Sequence, residues 1–201
     1  MITGSLVALV TPFDGQDRVD YASLKRLVDF HIEQGTNALV IAGTTGESPT
    51  LRRSEHIELI GRVLEIADGR IPVIAGTGSN STFQSVELSK AVADPRLAAY
   101  MAVVPYYNKP TQEGLYRHYM SIADAIDRPL LMYNVPGRTV ADMLPETIAR
   151  LATHDNIFGV KEATGDIDRL RAIQALVDED FVLYSGDDFT ALPFIEQGGH
   201  G

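Results

Sequence analysis

One lysine of this sequence occupies an unusual place. Lys161 lies in an apolar run with β-strand character, whereas the other three lysines, Lys25, Lys90 and Lys109, lie on predicted helices or in a polar loop. Removal from water disfavours the charged ammonium and lowers the pKa of a lysine side chain. A neutral amine can attack a carbonyl carbon and form a Schiff base. The position of Lys161 therefore predicts a nucleophile.

Lys161 and its candidate partner Tyr133 each have a structural alternative. The lysine would instead pair with a buried carboxylate, for which Glu162 and Asp187 are the candidates. Tyr133 ends the preceding strand, and a tyrosine held near a Schiff-base lysine can carry protons during imine formation and hydrolysis. It would otherwise be an aromatic residue that packs at the rim of the fold.

Other strand ends add hydroxyl, amide and guanidinium groups. Thr44 and Thr45 could relay a proton or bind a carboxylate, or simply form a tight turn. Arg138 follows a Pro-Gly turn, where a guanidinium suits bidentate recognition of a substrate carboxylate, although surface arginines are common. Of the neighbours Tyr106 and Tyr107, one ring should face inward and the other outward, and an exposed tyrosine suits a subunit contact.

No cluster of ligands predicts a metal or nucleotide site. Asp187 and Asp188 lie beside a strand end without a matching histidine or carboxylate cluster, which argues against a divalent cation. His31 lies on an apolar helix face, where a core histidine is expected. The phosphate-loop signature is missing. We expect neither a metal ion nor a cofactor.

Seven apolar runs supply the elements that must position these groups. Most are continuous rather than alternating, which is typical of strands covered on both faces. In a barrel of parallel strands, reacting groups lie at the C-terminal strand ends and in the loops that follow. The predicted strands are Ser5–Phe13, Ala38–Gly46, Pro72–Gly78, Ala99–Tyr106, Pro129–Val135, Ile157–Ala163 and Phe181–Gly186.

Amphipathic helices fit between these strands. The spacing predicts helices over Asp20–Gln34, which Gly35 would end, and over Ser54–Asp68. Pro145 and Asp166 are start signals for the fifth and sixth helices. Seven βα repeats without a change of composition predict one parallel α/β sheet.

The seven βα repeats must be compared with two parallel α/β folds, a closed barrel and an open doubly wound sheet. A (β/α)8 barrel has eight strands and typically about 250 residues, whereas this chain has 201 and reaches the glycine-rich turn 198–201 where an eighth strand should begin. An open doubly wound sheet is the rival, but Gly76–Ser81 lacks the third glycine of the dinucleotide fingerprint. We interpret residues 1–201 as an incomplete (β/α)8 TIM barrel, truncated after the seventh βα unit.

Composition excludes several classes of protein. With 17 Lys and Arg against 27 Asp and Glu, the formal net charge is −10, which argues against nucleic acid or an anionic membrane as a partner. No apolar run approaches the roughly 18 residues of a membrane span, and the N-terminus lacks the features of a signal peptide. The absence of cysteine removes disulfides, thiolate ligands and a cysteine nucleophile. We expect a soluble cytoplasmic protein.

Five segments, in order and with regular spacing, resemble the dihydrodipicolinate synthase family of class I pyruvate aldolases, which have a (β/α)8 barrel. The resemblance runs from Ser5 to Gly201. It implies condensation of pyruvate with L-aspartate 4-semialdehyde to 4-hydroxy-tetrahydrodipicolinate, the entry step of diaminopimelate and lysine biosynthesis. The segments are Gly43–Glu47, Pro105–Pro110, Tyr133–Arg138, Gly159–Thr164 and Ser185–Asp188.

The resemblance also implies catalytic roles. Lys161 would form the Schiff base with pyruvate. Tyr133, Thr44 and Tyr107 would form a proton relay, with Tyr107 lent by the neighbouring subunit of a dimer. Members are usually tetramers built as pairs of dimers, so we expect a homo-oligomer.

Substrate-binding roles follow in the same way. Thr45 would hold the pyruvate carboxylate, Arg138 would hold the carboxylate of the semialdehyde, and Gly186 would belong to the substrate-binding set. Related pyruvate aldolases that act on sugar acids, of the N-acetylneuraminate lyase or keto-deoxy-sugar type, share the lysine and the tyrosine. They remain the alternative function, and a catalytically inactive fragment is the third.

This sequence departs from the family pattern in two respects, and each leads to an expectation. Members inhibited by lysine often have a histidine at position 53 and a glutamate at position 84, where Arg53 and Gln84 stand here, so we expect weak or absent lysine feedback. The residues of the lysine site that do match the family pattern are Ser48, His56, Asn80 and Tyr106.

The family continues into an eighth βα unit and a C-terminal helical segment. We expect this chain to be part of a longer enzyme, with unpaired edges on its first and last strands, and with little activity if it ends here.

Overall fold

The computed structural model describes residues 2–201 as a single parallel sheet of seven strands. Each strand pairs with the next one along the chain, in the order β1 to β7. The sheet is curled, with helices on its outer face. The strands are β1 Leu6–Ala8, β2 Ala38–Ile41, β3 Val73–Gly76, β4 Ala99–Val103, β5 Leu130–Asn134, β6 Ile157–Glu162 and β7 Val182–Ser185.

Eight helices connect or follow the strands within the described residues. None of them is both long enough and apolar enough to cross a membrane. A short 3-10 turn, Ser48–Thr50, lies between β2 and the second helix. The helices are α1 Tyr21–Glu33, α2 Arg53–Ala67, α3 Thr82–Ala91, α4 Gln112–Ala123, α5 Pro136–Thr139, α6 Pro145–Ala152, α7 Ile167–Gln174 and α8 Ala191–Glu196.

The predicted helix signals are confirmed. The Asp20 carboxylate accepts hydrogen bonds from backbone N–H groups in the first turn of α1, and Gly35 follows the helix with a positive φ of 75°. Pro145 is the first residue of α6, and the Asp166 side chain caps α7. Each cap satisfies N–H groups that have no partner inside the helix.

All seven predicted strands are present, but the predicted ends extend too far. Apolar residues continue beyond the hydrogen-bonded ladder into the rim, where Val104 and Val135 are still buried. The first strand differs most, because Phe13 leaves the sheet and forms an isolated antiparallel bridge with Val19. The apolar runs therefore locate the strands, but they extend past the residues that are hydrogen-bonded to a neighbouring strand.

The strands are covered on both faces, as the continuous apolar runs predict. The larger core packs between the sheet and the helices, and a second core fills the inside of the curled sheet. Tyr184 belongs to the inner core, and its hydroxyl donates a hydrogen bond of 2.6 Å to the backbone oxygen of Ile2. Other members of the inner core are Val40, Ile74, Ala99, Met101, Leu131, Tyr133, Val135 and Val182.

The residues after α8 lie between β7 and β1. The His200 N–H donates to the Leu183 oxygen, and the Ser185 N–H donates to the Gly201 oxygen, both at 2.8 Å. On the other side, the Gly4 N–H donates to the His200 oxygen at 2.8 Å. The expectation of an unpaired edge is therefore wrong for β7 at Leu183 and Ser185, whereas on the other side the bonded residue is Gly4, which precedes β1.

A close approach of two strands makes one glycine critical. A Cβ on Gly159 of β6 would lie 2.4 Å from the Val182 oxygen. We expect Gly159→Ala to lower the free energy of unfolding by about 1–3 kcal/mol or more, as overpacking does. Gly61→Ala in α2, where a Cβ meets open space, should raise it by about 0.5–1 kcal/mol. Urea unfolding of both variants checks this, and equal stability of the two would contradict it.

Candidate active site

A cavity of about 740 Å³ lies at the carboxyl ends of the strands and inside the curled sheet. Its polar lining comes from the ends of several strands and from the loops that follow them, so side chains distant in sequence face one space. Six of the seven predicted catalytic and substrate-binding residues line it; they are Lys161, Tyr133, Thr44, Thr45, Arg138 and Gly186.

The pairing of β5 with β6 places the two central groups together. Tyr133 lies directly opposite Lys161 in the parallel register. Because alternate residues of a strand face opposite sides, both side chains point inward, and their successors point to the helices. The Lys161 Nζ lies 4.5 Å from the centre of the Tyr133 ring, a distance at which the ring face attracts an ammonium.

The surroundings of Lys161 favour a neutral amine. Burial lowers its pKa from the ordinary value of 10.5; the charge of Asp188 opposes this shift and that of Arg138 adds to it. The two carboxylates named as structural partners are engaged elsewhere. Glu162 accepts a hydrogen bond of 2.8 Å from the Thr164 N–H, and Asp187 accepts one of 2.7 Å from the Thr190 hydroxyl. The ion-pair alternative for Lys161 finds no support.

Tyr133 is 5% exposed, and burial raises the pKa of its hydroxyl. The neighbouring Thr44 side chain and the charge of Arg138 act in the opposite direction on this pKa. The hydroxyl therefore keeps its proton at neutral pH, and it lies beside the Thr44 hydroxyl at the exposed rim. Such a pair can pass a proton between the cavity and the solvent.

Gly186 provides space for the lysine side chain. A Cβ at this position would lie 2.8 Å from Lys161 Cε and 2.8 Å from the Ala163 Cβ. Its backbone N–H donates to the Glu162 oxygen at 2.7 Å, which holds the loop after β7 against β6. The absence of a side chain thus lets Lys161 extend across the mouth of the cavity.

Arg138 owes its position to the short helix α5. Pro136 begins this helix directly after β5, and Val140 ends it with a φ of 64°, an uncommon conformation for a β-branched residue. The exposed guanidinium lines the cavity, and its charge acts on both Lys161 and Tyr133. A carboxylate in the cavity would face a fixed positive charge.

Tyr107 does not line the cavity of its own chain. Its side chain is 88% exposed and its backbone has a φ of 73°, a left-handed conformation that costs free energy in a non-glycine residue. Tyr106 is half-buried and lines a second cavity. The predicted division of the two rings is confirmed, with Tyr107 on the outside.

The second cavity, of about 660 Å³, adjoins the first. Of the lysine-site residues, Ser48, His56 and Tyr106 line it, and Asn80 does not. His56 is buried, its Nε2 lies 2.8 Å from the Gly76 oxygen, and burial lowers its pKa. Arg53 and Gln84, the two departures from the family pattern, belong to the same lining.

The structure also corrects or extends the sequence-based site. His31, expected in the core, is only half-buried, and its Nδ1 lies 3.0 Å from the Thr36 hydroxyl. Tyr184 lines the first cavity and Asp188 acts on Lys161, but neither was predicted as a site residue. Within residues 2–201, no three His, Asp or Glu side chains form a group that could hold a metal ion.

Comparison with known proteins agrees with this geometry. The sequence profile of the dihydrodipicolinate synthetase family matches residues 1–201. This chain belongs to that family. The 4-hydroxy-tetrahydrodipicolinate synthases of Pseudomonas savastanoi pv. phaseolicola and Psychromonas ingrahamii are 59% and 58% identical to it over 201 residues, which are 100% of this chain and 69% of each relative.

Solved structures of the dihydrodipicolinate synthetase family have the same fold. The chloride-inhibited dihydrodipicolinate synthase from Acinetobacter baumannii, complexed with pyruvate, is 50% identical and superimposes with a TM-score of 0.97. The match covers 100% of this chain and 69% of that one. The seven strands are therefore those of a TIM barrel, as predicted.

The lowered pKa of Lys161 predicts how its amine reacts. Because the neutral fraction rises as the pH passes the pKa, we expect acetylation of Lys161 by acetic anhydride to reach its midpoint below that of a free lysine side chain. Asp188→Asn should move the midpoint to lower pH, and Arg138→Gln should move it higher. Peptide mass spectrometry measures the midpoints, and one at or above the free-lysine value would contradict the prediction.

Proposed function

We propose that this chain carries the active site of a 4-hydroxy-tetrahydrodipicolinate synthase, a lyase that condenses pyruvate with L-aspartate 4-semialdehyde. The observation that carries the proposal is the buried amine of Lys161, whose pKa is lowered by burial, held 4.5 Å from the centre of the Tyr133 ring in a polar cavity. The names of the relatives support the same reaction. We further propose that residues 1–201 form one incomplete (β/α)8 barrel domain that carries the catalytic residues, and that the protein works in the cytoplasm.

The chemistry follows from the residues that line the cavity. The amine of Lys161 attacks the ketone carbon of pyruvate, and loss of water gives the imine. The Tyr133 hydroxyl, through Thr44, supplies and removes the protons of this step. The imine loses a methyl proton to become an enamine, whose carbon attacks the aldehyde of the second substrate, and the aldehyde oxygen takes up a proton to become a hydroxyl. The amine of the second substrate then attacks the imine carbon, which closes the ring and releases the Lys161 amine.

Two further groups fit the charges of the substrates. The hydroxyl and backbone N–H of Thr45 suit the pyruvate carboxylate, and the Arg138 guanidinium suits the carboxylate of the semialdehyde. Arg138 lies at the rim, so it can meet a substrate that arrives after pyruvate has bound. Gly186 leaves room for both the lysine and its imine.

The proposal includes assembly with a second copy of the chain. Tyr107 points away from its own cavity and is 88% exposed, which supports its donation to the site of a neighbouring subunit, where it would join Tyr133 and Thr44. We propose a homo-oligomer built from such dimers, arranged as a pair of dimers. The left-handed backbone at Tyr107 holds the ring outward.

Borohydride trapping tests the nucleophile. With pyruvate and borohydride, we expect a reduced pyruvyl adduct on Lys161, because reduction converts the imine into a stable amine. Lys161→Ala should abolish the adduct, and Lys25→Ala, on the exposed face of α1, should leave it unchanged. Intact and peptide mass spectrometry give the yield and the position. An adduct on another lysine would contradict the assignment.

The same protein preparation distinguishes the proposed synthase from the alternative function, that of an aldolase acting on a sugar acid. A synthase consumes L-aspartate 4-semialdehyde in the presence of pyruvate, whereas a sugar-acid aldolase consumes an aldose or N-acetylmannosamine. Preferential consumption of the sugar aldehyde would replace the proposed substrate while leaving the Schiff base intact.

Lysine should inhibit this protein weakly or not at all. In the second cavity the Arg53 guanidinium donates to the Glu87 oxygen at 3.1 Å, and the Gln84 oxygen accepts from the Ser79 hydroxyl at 3.0 Å, so neither side chain offers an anion to the lysine ammonium. A hydrogen bond to a charged group contributes about 1.5–3 kcal/mol, which corresponds to roughly 10- to 150-fold in affinity. The double variant Arg53→His, Gln84→Glu should gain sensitivity by that factor. Inhibition of the unaltered protein at micromolar lysine would contradict the prediction.

A further inference from the structure

A buried polar network lies on the outer face of the sheet, directly behind the candidate active site. Asn134 and Glu162 follow Tyr133 and Lys161 in sequence, and they are 0% and 3% exposed. They form the next opposed pair in the β5–β6 register. Their side chains point toward the helices rather than into the cavity. The mechanism proposed above uses neither of them.

Every polar group of Asn134 is engaged. Its Nδ2 donates to Glu162 Oε2 at 3.0 Å and to Asp142 Oδ1 at 2.9 Å, and its Oδ1 accepts from the Met143 N–H at 3.0 Å. Asp142 in turn accepts from the Arg169 Nη2 at 2.6 Å. We call Asn134, Glu162, Asp142 and Arg169 the outer-face network. It joins β5 and β6 to α7 and to the loop that follows α5.

The outer-face network lies at the far end of a pairing that contains one irregularity. The pairing is irregular at its beginning, because Leu130 pairs with Ile157 but Leu131 pairs with Gly159, so that Phe158 has no partner. Beyond it the pairing is regular from Leu131 to Asn134, and the Ala163 N–H donates to the Asn134 oxygen at 2.9 Å, so the network adds side-chain contacts to the backbone contacts that hold the far end. A slip of one residue would turn the side chains at that end to the opposite face.

We propose that Glu162 and Asn134 are positioning residues that hold Lys161 opposite Tyr133, and that Asp142 and Arg169 anchor this pair to α7. This inference rests on the proposed function, since it assigns the network a task in forming the Schiff base. The alternative is that the network only stabilises the packing of α7 against the sheet. A positioning role predicts that a small change in the network alters the reaction of Lys161 while the fold persists, whereas a purely structural role predicts that it does not.

Glu162→Gln is the most conservative change in the network. Glu162 accepts one hydrogen bond from Asn134 and one from the Thr164 N–H, and a glutamine has one acceptor oxygen for these two donors. Because small displacements of reacting groups cost up to about 100-fold in rate, we expect borohydride trapping with saturating pyruvate to slow by about 10- to 100-fold. Arg169→Gln, at the more accessible edge of the network, should slow it less and provides a second variant.

Tyr100→Phe is the matched control. Tyr100 is buried in β4, and its hydroxyl donates to Asp127 at 3.1 Å, away from the cavity. Its loss removes one hydrogen bond from the same sheet. We expect it to lower the urea midpoint without changing the trapping rate of the folded protein. If Glu162→Gln behaves like Tyr100→Phe in both measurements, the network is only structural and the inference fails.

A double variant gives a further readout. If Glu162 acts through the alignment of Lys161 with Tyr133, the effects of Glu162→Gln and Tyr133→Phe on the trapping rate should not multiply, because both weaken the same arrangement. A structural role predicts independent effects. Full multiplication of the two would therefore overturn the inference.

One measurement separates failure of the inference from failure of the proposed function. Acetylation of Lys161 as a function of pH needs no pyruvate, and we expect Glu162→Gln to move its midpoint toward the free-lysine value as water reaches a less constrained side chain. If the longer enzyme that we expect to contain this chain is folded but traps no pyruvate, the proposed function fails, and the acetylation comparison still decides the inference. Identical midpoints in the unaltered chain and in Glu162→Gln would overturn it.

Discussion

The parallel pairing of β5 with β6 is the interaction on which the rest of the candidate site depends. Its register sets Tyr133 opposite Lys161, and the alternation of side chains along a strand turns both into the cavity. The loop after β7 then contributes Gly186, which leaves the space that the lysine fills. Loops add hydroxyl and guanidinium groups around this centre, but they could not restore it if the two strands moved relative to each other.

The same low-dielectric environment gives the two central groups different properties. Burial lowers the pKa of Lys161 and raises that of Tyr133, because each shift favours the neutral form. An amine that is more easily neutral beside a phenol that keeps its proton is the combination that imine chemistry requires. Arg138 and Asp188 at the rim adjust this balance while remaining accessible to substrate.

Sequence reasoning recovered the strands and the central pair for one physical reason. A strand buried on both faces is a continuous apolar run, so Lys161 and Tyr133 were visible as polar groups within such runs. Glu162 shows the same signal, but the sequence predicts it only as an alternative partner for Lys161, because its hydrogen bond with Asn134 joins residues 28 positions apart and has no local pattern. The role of Tyr107 in the proton relay comes from family resemblance alone. The backbone hydrogen bonds of His200 and Gly201 with β7 and with Gly4 leave no pattern in the side chains.

The closing contacts of the sheet have a consequence for the order of folding. Each strand pairs with its successor in sequence, so the fold can grow one βα unit at a time through local contacts. The hydrogen bond from the Tyr184 hydroxyl to the Ile2 oxygen instead joins groups 182 positions apart, and the bond from Gly4 to His200 spans nearly the whole chain. Long-range closure carries the largest loss of chain entropy. We therefore expect the seam between β7 and β1 to form last and to exchange its amide protons with water first.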